Sequence, residues 1–229
     1  MQKGDFVKIE YTGRLESGEI FDTTNEELAK KEKIYNQNMR YGPVGVVIGG
    51  HFVLPGLEKE LEKMETGDNK SITVEANEGF GERKAELVRV MPEKAFKGKN
   101  IMPGMVVDFG DVRGRVQSIN AGRVRVDFNH PLAGKNLKYD VKIIEKIEGD
   151  NNKAAAVLEF FGIDNKDKFE FKGEAVDIKL RLPEPIKQRI AVLIIEFITG
   201  IKKVNFIETF EKKPKDEGEV AADGKNAEG

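Results

Sequence analysis

Residues 137–146, LKYDVKIIEK, alternate with a period of two. Leu137, Tyr139, Val141 and Ile143 fall on one face of a strand, and Lys138, Asp140 and Lys142 on the other. A half-buried strand of this length is not stable alone and needs a sheet to join. The segment just before it, residues 85–128, carries its own turns and apolar pattern, so the strand has two candidate homes: that unit, or a sheet begun further back.

The first 80 residues read as a sheet short of one strand. DFVKIEYTG places Val7, Ile9 and Tyr11 on one face, and a glycine turn leads into EIFDTT, which together read as a hairpin. Residues 23–42 are polar and rich in Lys and Glu, and read as a long excursion with one helical turn. GVVIGG resumes an extended apolar run. In LPGLEKELEKMETGD, Leu57, Leu61 and Met64 stand at i, i+4 and i+7 behind a Pro-Gly start, with Gly67 just past the end, which predicts a short helix with one buried stripe. KSITVEANEGFGE then supplies a strand with Ile72, Val74 and Ala76 inward, followed by a Gly-flanked Phe80. Three or four antiparallel strands and one helix lack a central closing strand, and residues 137–147 have the alternation and length to supply it. The competing reading, in which 127–148 closes an all-β unit with 85–126, is open on periodicity alone.

The intervening unit has its own logic. LVRVMPEKAF offers a strand and a Pro-started turn, GMVVDFG and GRVQSI two strands, and NAG a turn into RVRVDF, where Val124, Val126 and Phe128 share a face. Met91, Met102 and Met105 lie within it. Thioethers on flexible stems suit a surface that must fit many partners, and equally suit the core of a small domain. Phe96, Ile101, Met102, Met105, Val106 and Met91 are the candidate contacts of such a surface.

Past Gly149 the pattern changes. NKAAAVLEFFGI reads as a short helix and KFEFKGEAVDIKLRL as a hairpin with Val176, Ile178, Leu180 and Leu182 on one face. LPEPIKQRIAVLIIEFITG reads as a second helix, entered through prolines and ended by Gly200, and IKKVNFIETF as a last strand. Residues 150–210 form a small α+β domain on this reading. Residues 211–229 have almost nothing to bury and are expected to be a disordered tail. In the second helix Ile186, Ile190, Leu193 and Phe197 make one face, while Val192, Ile194, Ile195 and Ile198 spread apolar surface around most of the circumference. Either a two-fold partner covers the excess, making a homodimer, or the AAAVLEFF helix wraps it.

Composition excludes whole classes of chemistry. With no cysteine and only His51 and His130, disulfides, thiol catalysis and a Cys/His zinc site are ruled out, and no metal or other cofactor is implied. Thirty-eight Lys and Arg against forty Asp and Glu leave a net charge of −2, without the basic excess that nucleic acid demands. The polar first twenty residues are no secretory signal, and no window approaches a membrane span, so a cytoplasmic protein without membrane contact is expected.

Five stretches, KIEYTG, GEIFDTT, VLPGLEKEL, ANEGFGE and NHPLAGKNLKYDV, occur in the order found in FKBP-type peptidyl-prolyl isomerases, which residues 1–148 resemble. The insertion after NEGFGE and the NHPLAGKNL return resemble the SlyD branch and the long archaeal members; the C-terminal domain matches the long type by analogy. The resemblance implies an α+β fold: an antiparallel sheet wrapped on a short helix (residues 1–84 and 129–148), a small β-rich chaperone domain inserted in the flap (85–128) and a C-terminal α+β domain. It implies an apolar pocket walled by Tyr11, Phe21, Asp22 and Val46, floored by Val53, Leu54 and Leu57, with Phe80 at the lip and Tyr139 at the back. Two departures stand out: Leu57 where many members have Trp, and Phe80 where they have Tyr, which removes a lip hydroxyl. The tail has no histidine, so the metal-binding tail of SlyD members does not carry over.

The implied activity is cis/trans isomerisation of Xaa-Pro bonds in unfolded or partly folded proteins, with the insert capturing chain near the pocket. The alternative is a holdase-type binding module whose isomerase pocket is secondary. Asp22 is expected to be a partly buried carboxylate tied to a tyrosine hydroxyl, orienting rather than reacting. A hydrolase would need a second acid or a metal beside it, and the sequence offers neither.

Overall fold

The computed structural model describes residues 1–96, 98, 100–110, 112–163 and 168–209. The tail expected at 211–229 lies outside the described residues.

The N-terminal part supplies β1 (Phe6–Leu15), β2 (Ile20–Thr23), α1 (Glu26–Lys31), β3 (Val44–Val47), α2 (Pro55–Leu61) and β4 (Asn69–Val74). The insert contains β5 (Val88–Pro92), β6 (Val106–Phe109), β7 (Val112–Asn120) and β8 (Arg123–Asp127), and β9 (Leu137–Lys146) follows it. The last part supplies α3 (Asp150–Phe160), β10 (Phe169–Lys172), β11 (Ala175–Ile178), α4 (Glu184–Phe197) and β12 (Lys203–Phe206). The polar excursion folds into α1 because Asn25 caps it, its side-chain oxygen accepting the Leu28 N–H at 2.9 Å.

The strand that opened the sequence problem goes to the N-terminal sheet. β9 runs antiparallel between β1 and β4, with Tyr139 opposite Gly13 on one side and Ile72 on the other. β2 and β3 share the far edge of β1, giving a five-stranded sheet in the order β2-β1-β9-β4 with β3 beside β1. Ile9, Val46, Leu57, Leu61, Met64, Tyr139, Val141 and Ile143 form the core between this sheet and α2. The insert closes its own antiparallel sheet, in the order β5-β8-β7-β6, over a core of Phe96, Ile101, Val107, Val116, Val124 and Val126. Two chain crossings meet at its base, where the Asn129 side chain accepts the Lys84 N–H and donates to the Lys84 carbonyl, both at 2.9 Å.

The C-terminal part supplies one pairing the sequence reading left open and departs from that reading in two ways. β12 pairs parallel to β11, because α4 carries the chain back across the sheet before β12 begins. β11 stops at Ile178, so Leu180 and Leu182 pack on the core from outside the strand. α4 ends at Phe197, three residues before the glycine expected to stop it. Its core is also continuous with the first sheet: Phe6, Val47 and Ile147 join Val157, Leu158, Val176, Ile178, Ile190, Leu193 and Ile194 in one cluster. The run GVVI is apolar throughout because β3 is buried on both faces, Val46 toward α2 and Val47 toward the C-terminal core. Gly45 lets α3 approach, since a Cβ there would lie 2.9 Å from that of Ala156.

This packing also settles most of the α4 circumference. α3 and the C-terminal sheet cover Ile190, Leu193, Ile194 and Ile198, and leave Val192 52% and Ile195 43% exposed. Among the described residues no helix is long and apolar enough to cross a membrane.

Candidate active site

Four rings meet at the open end of the first sheet. Tyr139, the third residue of β9, lies 5.9 Å from Tyr11 on β1 and 5.7 Å from Phe21 on β2, the latter edge-on at 87°. Phe80 stands 6.5 Å from Phe21, also edge-on. Gly13 is what lets the rings close up: a Cβ there would come within 2.7 Å of Phe21 Cζ and 2.9 Å of Tyr139 Cε1. Val53 and Leu54, just ahead of α2, and Leu57 in its first turn pack beneath them. The structure therefore brings Tyr11, Phe21, Val46, Val53, Leu54, Leu57, Phe80 and Tyr139 onto one apolar cluster, with Val46 and Leu57 buried beneath its surface.

Asp22 joins through a hydrogen bond, the Tyr11 hydroxyl donating to its Oδ2 at 3.0 Å. Burial pushes the Asp22 carboxyl above its ordinary range, opposed by the bonds from Tyr11 and the Thr23 N–H. Burial, and then the Asp22 charge, push the Tyr11 hydroxyl far up, and the same two causes raise that of Tyr139. Both phenols therefore stay neutral donors at physiological pH, which suits orientation and not proton transfer. Among the described residues nothing hydrogen-bonds the Tyr139 hydroxyl. It stands as a donor at the back of the cradle, where the lip has lost the one that Phe80 lacks.

Three contributors were not identified as such in the sequence. The His130 ring lies flat on Phe80 at 4.3 Å and 7°, and its Nδ1 accepts the Leu132 N–H at 3.2 Å, so the lip is a stacked pair. Its only signal is the NHPLAG return, which brings the chain back beside NEGFGE. Glu58 is buried next to Leu57, and its Oε1 accepts the N–H groups of Gly49 at 2.9 Å and His51 at 3.1 Å, holding the turn that leads into Val53 and Leu54. An acid on the inner side of a short helix was the available hint. Phe52 packs at 4.4 Å and 63° against Phe160 of α3, so the C-terminal part borders the floor of the site.

Volume does not locate this cradle. A concavity of about 520 Å³ among the described residues reaches Tyr11 but is otherwise lined mostly by polar groups, Glu10, Thr12, Glu26, Glu27, Asp140 and Lys142 among them, too polar to grip a proline ring.

The insert sorts the other candidates. Met102 is 62% exposed, and Val106 and Met105 also face solvent. Phe96 and Ile101, expected on the same surface, are instead buried, because a small unit has few other large side chains with which to build a core. Met91 packs partly against that core. Val90 and Val112, not singled out in the sequence, are exposed.

Comparison with known proteins points the same way as the geometry. Residues 89–132 match the family model described as FKBP26, IF domain. A short-type peptidyl-prolyl cis-trans isomerase of Methanocaldococcus jannaschii is 33% identical over 145 residues, which is 62% of this chain and 92% of that protein. A probable FKBP-type 16 kDa peptidyl-prolyl cis-trans isomerase of Pseudomonas fluorescens is 29% identical over 61% of this chain and 87% of its own length. The FKBP-type isomerase SlyD of Aeromonas hydrophila is 32% identical over 60% of each chain. The ring cradle on a five-stranded antiparallel sheet, the inserted sheet and these likenesses together place the chain in the family of FKBP-type peptidyl-prolyl cis-trans isomerases.

Proposed function

We propose that the cradle of Tyr11, Phe21, Phe80 and Tyr139 is the site at which this isomerase turns Xaa-Pro bonds of unfolded or partly folded proteins. The observation that carries the reading is the set of tilted and edge-on rings, with the Asp22 carboxylate beside them tied to the Tyr11 hydroxyl. Rotating a peptide bond sacrifices amide resonance at a cost of roughly 18–20 kcal/mol. The twisted amide is less polar than the planar one, so an apolar site disfavours the planar form more, which is differential stabilisation of the transition state. A gain of about 5–6 kcal/mol corresponds to an acceleration on the order of 10⁴. No nucleophile, metal or proton shuttle enters this account. Tyr139→Ala and Phe80→Ala should each slow exchange in a proline tetrapeptide by at least about tenfold while the fold persists; unchanged rates in both would remove the assignment.

The inserted IF domain brings clients to that site. Exposed Val90, Met102, Met105, Val106 and Val112 support capture of unfolded apolar chain, which raises its concentration near the cradle. Joining residue 84 to residue 129 cuts the chain at the Asn129 clamp. The shortened protein should keep tetrapeptide isomerisation and lose most catalysis of proline-limited refolding, a step of roughly 10–100 s. The same exposed residues favour the second reading, a holdase with secondary isomerase activity. Suppressed aggregation of a proline-free unfolded chain, together with tetrapeptide rates near background, would select it.

The quaternary proposal is a homodimer through the C-terminal domain. It is supported by Val192 and Ile195, exposed one turn apart on α4.

A further inference from the structure

The other face of the insert's sheet has a different chemistry. Five of the ten arginines in the chain lie within residues 85–128. Strand register puts most of them on the side away from the insert's core: Arg113 opposite Asp108, Arg115 opposite Val106 and Asp127, Arg125 opposite Val90 and Ser118, and Arg123 opposite Pro92 and Asn120. Arg113 is paired with Asp108 at 2.9 Å. The Asp127 carboxylate is engaged by Arg83, Gln117 and Asn129, leaving nothing for Arg115. Arg115, Arg123 and Arg125 are exposed and make no ion pair among the described residues. Between them stand the exposed side chains of Val90 and Val106.

We propose that this outer face is a docking surface for carboxylate-rich, extended stretches of polypeptide. It deepens the reading of the insert as a client-binding unit, on which it rests. Alternate side chains of an extended strand lie about 6.6 Å apart. Arg123 and Arg125 are alternate residues of β8 and share that repeat, so an extended client with acids at every second position presents them all on one face and matches the arginines pair for pair. Guanidinium groups bind carboxylates in two-point fashion, which lysines would not. The face carries none of the aromatic rings on which unpaired bases stack. A peptide is the better fit.

The test uses the full chain and fluorescence anisotropy with three labelled, proline-free peptides, alternating Val with Glu, Gln or Lys, and a single-stranded oligoribonucleotide. The Glu peptide should bind about tenfold more tightly than the Gln peptide, as expected for three exposed charge pairs, and the Lys peptide more weakly still. The preference should shrink in high salt. Replacing Arg115, Arg123 and Arg125 together by Thr should reduce Glu-peptide binding to the Gln level, with tetrapeptide isomerisation unchanged as proof of folding. Replacing them by Lys should retain part of the preference. Equal binding of the Glu and Gln peptides to the unaltered chain overturns the proposal and leaves apolar capture standing, whereas binding of none of the peptides overturns both. A preference that survives the Thr variant, or an oligoribonucleotide that binds more tightly than the Glu peptide and is lost in that variant, also overturns it.

Discussion

A single methyl group at Gly13 tests whether the ring cradle is the catalytic site. Ordinary contact begins near 3.4 Å, so Gly13→Ala requires Phe21 Cζ to retreat by about 0.7 Å and Tyr139 Cε1 by about 0.5 Å. Tyr139 cannot move far: its strand is paired on both sides, and the residue is 4% exposed. Phe21 sits half-buried on a four-residue edge strand and gives way, loosening its edge-on contacts with Tyr139 and Phe80. Forcing a methyl into a packed site costs about 1–3 kcal/mol, and the lower entropy of the unfolded alanine variant returns about 0.4–1 kcal/mol. The net loss of about 1–2 kcal/mol should lower Tm by several degrees, at about 2–4 °C per kcal/mol for a chain of this size. If the same rings grip the proline, losing about 1.4 kcal/mol of their transition-state contact lowers kcat/KM about tenfold. Thermal unfolding and exchange measured by NMR on a proline tetrapeptide read the two effects separately. A variant that melts early but turns over at the unaltered rate would refute the location of the site. Unaltered melting as well would refute the packing.

Asn129→Ala removes both bonds to Lys84, each worth about 1 kcal/mol, and should leave tetrapeptide exchange within about twofold while cutting refolding catalysis severalfold. Equal loss in both assays would place the clamp's role in the pocket instead. Burial alone would raise the Asp127 carboxyl, but hydrogen bonds from Asn129, then the Arg83 charge and Gln117, hold it below 3.8. Its ionised form therefore stabilises the fold above that pH, and the contribution is lost as pH falls through the lowered value. Amide exchange at the insert's base should quicken only below about pH 4, and Asp127→Asn should abolish that step. Truncation after residue 149 uncovers Phe6, Val47 and Ile147, worth roughly 5 kcal/mol together, so the shortened chain should melt earlier and self-associate. Light scattering reads this and the quaternary proposal together: the intact chain should be a dimer that Val192→Glu makes monomeric, and an intact chain already monomeric at tens of micromolar would sink the dimer.

Within the isomerase sheet, local pattern carried most of the information. The alternation in β1 and β9 marks Tyr11 and Tyr139 as inward, and the i, i+4, i+7 stripe from Leu57 to Met64 identifies α2, because a period reports which side of its own element a residue occupies. The resemblance carried by the five motifs then implies that the ring residues share one cleft, and the apolar pattern of 85–128 allows it to be a unit interrupting a sheet. Period does not report what covers the other side. That Phe6, Gly45 and Val47 lie under α3 and α4, that β12 runs parallel to β11, and that His130 lies on Phe80 are contacts between elements far apart in the chain, set only when the layers close. The same holds inside the insert, where Phe96 and Met102 look alike as apolar residues in the sequence. Only packing decided that the first completes a core and the second faces solvent, since a unit of that size must bury its few large rings before it can present anything to a partner.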